Sequence, residues 1–206
     1  MKLLIILAGL FTMNNSCKTL SPSVAASQQH NNIFPEINPQ KEEAQILSYI
    51  NEMRQNPRQF YKKYLQDYIL QNKDRFTGYY TNSLEKDMNS TAPLPLFTIQ
   101  SILSTTASSQ AKYLAPYRGK KLDHDRPGLS FEQRLQKAGI NCGAENLYTG
   151  INRTALQVVM DLLIDQHVQS LGHRKNLLSP SYHSIGIAVE TFSGGGQVVV
   201  MDFGCN

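Results

Sequence analysis

Apolar residues recur with a helical period where the folded part of the chain begins. Ile46, Leu47, Ile50 and Met53 form one stripe; Asn38 can cap the helix that carries it, Pro39 suits its first position, and Glu42 and Glu43 favour its first turn. This helix is predicted to stop before Asn56-Pro57, where the same signal opens a second one with Phe60, Tyr61, Tyr64, Leu65, Tyr68 and Ile69 on one side. Residues 73–95 are polar and punctuated by Pro93 and Pro95, so they read as a long surface excursion. Ile99, Ile102, Leu103, Ala107, Ala111 and Leu114 then hold a helical period until Pro116. Ser130 and Gln133 make a capping box for a short helix that closes at Gly139. A fourth, longer helix is predicted from about Thr154 to Ser170, with Ala155, Val158, Val159, Leu162 and Leu163 inward.

Near the end of the chain the period changes from helical to alternating. Ile185, Ile187 and Val189 alternate with other residues, Gly194-Gly195-Gly196 supplies a turn, and Val198 to Phe203 makes a second strand of an antiparallel hairpin. Because Val198 to Phe203 is apolar on both faces, that strand is expected at the centre of a sheet covered by helices on each side, an α/β architecture. With 206 residues, 41% of them hydrophobic, the chain supports one core and one domain.

The amino terminus points to export. Lys2 precedes the apolar run Leu3 to Met13, which fits the hydrophobic region of a signal peptide and is too short to span a bilayer. It leads into Asn14-Asn15-Ser16-Cys17, which resembles a degenerate bacterial lipobox, with Asn14 where that motif has an aliphatic residue. The expected organisation is a signal peptide over residues 1–17, of lipoprotein type if Cys17 carries a lipid, a flexible Ser/Gln/Asn-rich tether over 18–38, and a folded domain over 39–206. Ordinary cleavage near Val24-Ala25-Ala26 is the alternative, and both place the protein outside the cytoplasm as a secreted or membrane-anchored chain.

Charge and cysteines narrow the picture further. The net charge of +4 comes from scattered Lys and Arg, with only short clusters such as Arg118-Gly119-Lys120-Lys121, so it reads as a solvated surface and not as a nucleic-acid site. Of the 3 cysteines, Cys17 belongs to the leader, which leaves Cys142 and Cys205 as a pair in a disulfide-permissive compartment. Two reduced, buried thiols are the alternative.

Candidate chemistry lies in three segments: Leu122-Asp123-His124-Asp125-Arg126, Gly143-Ala144-Glu145-Asn146-Leu147-Tyr148, and Ser170-Leu171-Gly172-His173-Arg174-Lys175-Asn176-Leu177-Leu178. With Asn51-Glu52-Met53-Arg54, Ala144 to Gly150, Gly172 to Leu178 and Val200 to Gly204 in this order, the chain resembles the CAP superfamily of cysteine-rich secretory proteins, antigen 5 and plant pathogenesis-related proteins, in particular its bacterial extracellular, SCP-like branch. The resemblance runs from about Glu42 to Cys205. It implies a three-layer α-β-α sandwich with a small, mainly antiparallel central sheet and a cleft with two histidines and acidic partners, which in some members bind a divalent metal. His124, Glu145 and His173 match that cleft by motif position, whereas Ser170 stands where a second acidic residue is expected and His167 where a tryptophan is expected.

Two imidazoles and a carboxylate can hold zinc with a position left for water. His124, Glu145 and His173 are therefore the expected ligands of a divalent metal, and the catalytic residues if the domain is a metal-dependent hydrolase. The metal-free alternative is that Glu145 accepts a hydrogen bond from His173 and simply fixes the cleft walls. Asn146, His167, Ser170 and Arg174 complete the expected cleft, with Arg174 and Asn176 also suited to tying a turn. A Ser170-His173 nucleophile lacks a recognisable buried carboxylate to orient the imidazole. The incomplete acidic set favours a binding module for an extracellular lipid, peptide or glycan over an enzyme. A structural or adhesive envelope protein is the third reading.

Overall fold

The computed structural model describes residues 37–205. The leader, the lipidation of Cys17 and the tether up to residue 36 lie outside the described residues. Helix α1 (Pro39–Gln55) starts as its sequence dictates, with the Asn38 side chain accepting the Lys41 N–H. Asn56 caps the next run in the same way, through Gln59 N. That run is interrupted: α2 (Pro57–Phe60) passes into a π-helical segment, Tyr61–Leu65, before α3 (Gln66–Gln71).

The stretch read as a surface excursion is in large part a helix, α4 (Gly78–Ser90). Tyr80, Leu84 and Met88, spaced four apart, are buried and join the main core. Only this narrow stripe is apolar, and the surrounding Asn, Ser, Thr, Glu and Lys residues masked it. The short strand β1 (Thr98–Ile99) precedes α5 (Ser101–Leu114), so Ile99 belongs to a sheet edge and is exposed. The capping box of Ser130 and Gln133 opens α6 (Phe131–Lys137).

Three longer strands complete the sheet: β2 (Gly143–Ile151), β3 (Ser184–Phe192) and β4 (Gly196–Gly204). The order is β1-β3-β4-β2, antiparallel except for the parallel β1-β3 pair, and every residue of central β4 is buried. The segment around Glu145 is thus an edge strand. Between β2 and β3 lie α7 (Ala155–Ile164) and α8 (Gly172–Leu177). The predicted fourth helix therefore ends well before Ser170: Asp165 takes a left-handed conformation at its C-cap, and His167 also has positive φ.

Helices α1, α4 and α7 cover one face of the sheet and α5 covers the other, giving the α-β-α layering. The α5 face is closely packed because β3 offers Gly186, where a Cβ would lie 2.0 Å from the Leu103 carbonyl carbon. Cys142 and Cys205 form a disulfide that joins the start of β2 to the end of β4.

Candidate functional site

Side chains alternate along β2, and the alternation sorts the candidate residues. Glu145 and Leu147 point toward α5, while Ala144, Asn146 and Tyr148 point to the opposite face. His124 meets Glu145 on the first face, with its Nδ1 2.9 Å from Oε1. The other carboxylate oxygen accepts a hydrogen bond from Arg134 Nη2 at 2.8 Å, and the same Nη2 binds the His124 carbonyl oxygen. The Glu145 side chain is fully buried, that of His124 about half exposed at 51%. The hydrogen bond to Glu145 raises the His124 pKa above its ordinary value.

Asp202 pairs across the strands with Glu145 and accepts a 2.5 Å bond from Thr106 Oγ1. Burial, then the charge of Glu145, pushes its pKa up to about 8, so at neutral pH it is largely the neutral acid. Two carboxyl groups this close do not both ionise readily, and Arg134 supports the one that does.

His173 is fastened on the other side of β2. Its Nδ1 lies 2.7 Å from Asp165 Oδ1, and Asp165 Oδ2 accepts the backbone N–H of Arg174. Asn146 Nδ2 donates to the His173 carbonyl oxygen, and Asn176 donates to Asn146 Oδ1. Arg174 itself is 1% exposed: its guanidinium bonds the carbonyls of Leu163, Ile164 and Tyr80, the Ser83 hydroxyl and Asp87. It clamps α4 and α7 together and is not open to a ligand, in contrast to its expected place in the cleft.

The expected contact between Glu145 and His173 is replaced by two separate histidine–carboxylate pairs, His124–Glu145 and His173–Asp165. Among the described residues, no group of three or more His, Cys, Asp or Glu side chains is arranged around a common metal position. Glu145 does not fit the role of ligand, since His124 and Arg134 take both of its oxygens. Each imidazole gives Nδ1–H to a buried carboxylate, which leaves Nε2 as the nitrogen that could ligate. The acidic partner missing at Ser170 is supplied by Asp165, five residues earlier. Asp165 also provides the orienting carboxylate that a Ser170-His173 nucleophile lacked, yet among the described residues no hydrogen bond links Ser170 to the His173 ring.

Next to His173 opens a groove of about 450 Å³, walled by Phe76, Leu122, Tyr148, Leu162 and Val168, with His167 at its rim. At its floor Asp161 accepts hydrogen bonds from both Tyr68 and Tyr148 at 2.8 and 2.9 Å, and Arg75 stands 3.9 Å away. Burial and the neighbouring Asp161 raise the Tyr148 pKa, so the phenol keeps its proton. Sequence reasoning missed Arg134, Asp161, Asp165 and Asp202. For Asp202 a signal was present, a single acid within Val-Val-Val-Met-Asp-Phe, because a carboxyl in a buried strand needs partners.

Against known proteins, residues 47–203 match the model of the cysteine-rich secretory protein family, CAP. No curated protein matches the chain. Solved structures of similar form include an extracellular protein with an SCP domain from Bacillus anthracis, at 23% identity over 54% of this chain and 34% of that one, TM-score 0.41. An outer surface protein of Borrelia burgdorferi shows 24% identity over 61% of this chain and 88% of that one, TM-score 0.46. A crystal structure of NaASP2 with Zn2+ shows 13% identity over 84% of each chain, TM-score 0.49. The chain thus spans about a third of the length of the Bacillus anthracis protein. These likenesses are too distant to bear on function, and the assignment rests on the family model: the chain belongs to the cysteine-rich secretory protein (CAP) family.

Proposed function

We propose that this domain is an extracytoplasmic ligand-binding module whose site is the groove beside His173. One observation carries the reading: the 450 Å³ groove is open and largely apolar beside a half-buried histidine, whereas Glu145, the residue a hydrolase would need, is sealed by Arg134. Lys2 with the apolar run that follows it supports export, and Cys17 a lipid anchor. The ligand class that suits these walls is an extracellular lipid, a peptide or a glycan presenting an apolar portion. Screening the protein against lipid, peptide and glycan panels, with and without zinc, tests this. Binding that is lost in Leu122→Arg, which fills the groove from an exposed position, supports it; no binding above background, or binding unaffected by that substitution, removes it.

A second reading concerns a divalent metal such as zinc. The Nδ1 pairing of His124 and His173 with buried carboxylates is the arrangement that orients imidazoles as metal ligands. Bound metal would supply Lewis acidity there. The chain's own part is to fix both rings and present Nε2. The hydrolase alternative has no free carboxylate at Glu145 to activate water. Calorimetric titration with zinc of the wild type, His124→Ala and His173→Ala tests this reading; identical isotherms for all three would remove it.

A further inference from the structure

The short basic cluster Arg118 to Lys121 is held in a defined shape at one end of the sheet. The 3-10 turn Ala115–Tyr117 precedes it, Arg118 takes a left-handed conformation, and its Nη2 lies 3.5 Å from the Ser193 carbonyl oxygen in the β3-β4 hairpin. Gly119 has φ of +75°, and a Cβ there would sit 2.7 Å from Thr149 Oγ1, so the loop lies flush on β2. Lys121 Nζ stands 5.5 Å from the centre of the Tyr117 ring, which packs edge-on against Tyr113 and is 39% exposed. Lys112 and Arg118 border a shallow depression of about 410 Å³ beside Phe192, with Glu190 as its one acidic neighbour. At the adjoining end of β2, Asn152 bonds the hairpin through Gly195, and Ile151 is 61% exposed.

The chain enters the domain at this same end. Glu43, early in α1, accepts the N–H of Val189 close to the hairpin, whereas Arg54, at the far end of α1, reaches Tyr182 and Pro95 at the opposite end of the sheet. The described chain therefore begins toward the end that carries the basic residues.

We propose that the hairpin end, through Arg118, Lys120 and Lys121 with Lys112 and the Tyr117 ring, is a docking surface for an anionic lipid bilayer. Phosphate head groups complement the cationic cluster, the tyrosine and Ile151 suit the head-group boundary, and the chain entry lies on the membrane side. The proposal rests on the export reading and is independent of the groove beside His173.

Sedimentation of the full chain with vesicles of phosphatidylcholine, alone or mixed with phosphatidylglycerol, tests it. The leader, with Lys2, is common to wild type and variants, so the difference between them reports the charged surface. The expected result is a preference for the anionic vesicles that weakens with salt. Arg118→Glu/Lys120→Glu/Lys121→Glu should reduce that preference by on the order of a hundredfold. Lys62→Glu/Lys73→Glu/Lys86→Glu, with the same change in net charge elsewhere, should retain it. Lys120→Gln/Lys121→Gln, a milder change with folding checked by circular dichroism, should lose on the order of tenfold. No preference in the wild type, equal losses in both triple variants, or binding to soluble polyphosphate without a vesicle preference would each overturn the proposal. Loss of vesicle binding with groove binding intact would leave the proposed ligand site standing.

Discussion

Asp165 holds His173: its carboxylate lies 2.7 Å from Nδ1 and receives the next residue's N–H as well. The pairing depends on the early end of α7, since only in the left-handed C-cap does Asp165 turn back toward α8. Asp165→Asn keeps the size but removes the charge that orients the imidazole. Zinc affinity measured by calorimetry should fall about 10- to 100-fold, as it does for outer partners of metal-ligating histidines. An unchanged affinity would show that Asp165 serves the turn alone.

The proton on Asp202 gives stability a pH dependence. Its folded pKa is raised from 3.8 to about 8, so the folded state holds the proton more tightly than the unfolded one. The stabilisation from this group is complete below 3.8 and is lost as pH rises from there to about 8. His124, also raised, acts with the same sign at higher pH: its contribution is full below 6.5 and lost as pH passes through the folded value. Asp202→Asn should flatten the decline in stability between these limits by up to one proton's slope, about 1.4 kcal/mol per pH unit. Urea unfolding at a series of pH values measures it, and parallel curves for wild type and variant would reject the assignment.

The Cys142–Cys205 bridge closes a loop of 63 residues. Restricting the unfolded chain in this way is worth about 4 kcal/mol at that length. Cys142→Ser/Cys205→Ser should lower unfolding stability by roughly 2–4 kcal/mol in denaturant titration, with the family fold preserved.

Leu84 sits at the centre of the buried stripe on α4 and is 0% exposed. Leu84→Ala should cost about 2–5 kcal/mol, and Leu70→Ala, at a site 69% exposed, less than about 0.5 kcal/mol. Chemical denaturation of both variants checks this. Equal effects would return residues 78–90 to the surface.

Strong local signals in the chain match the structure: Asn38 and Ser130 cap their helices, and Val198 to Phe203 lies in a central strand. Signals diluted by context were not. The Tyr80, Leu84 and Met88 stripe is one side of a polar helix, and Gly143–Ile151 lacks a plain alternation because its edge position leaves Glu145 and Asn146 buried through polar partners. For the site, His124, Glu145 and His173 were visible by motif, but their partners were not. Arg134 and Asp165 become partners only through helix α6 packing beside β2 and a helix ending early. Neither the left-handed conformation of Asp165 nor that of His167 is announced by a glycine.

The central claim is that ligands enter the groove beside His173, and amide NMR mapping tests it most directly. Adding the strongest binder from the lipid, peptide and glycan panels to labelled protein should shift resonances of Leu122, Thr149, Val168 and His173, which line the groove. Shifts concentrated elsewhere on the domain, or a binder that perturbs Leu122→Arg and the wild type alike, would contradict it.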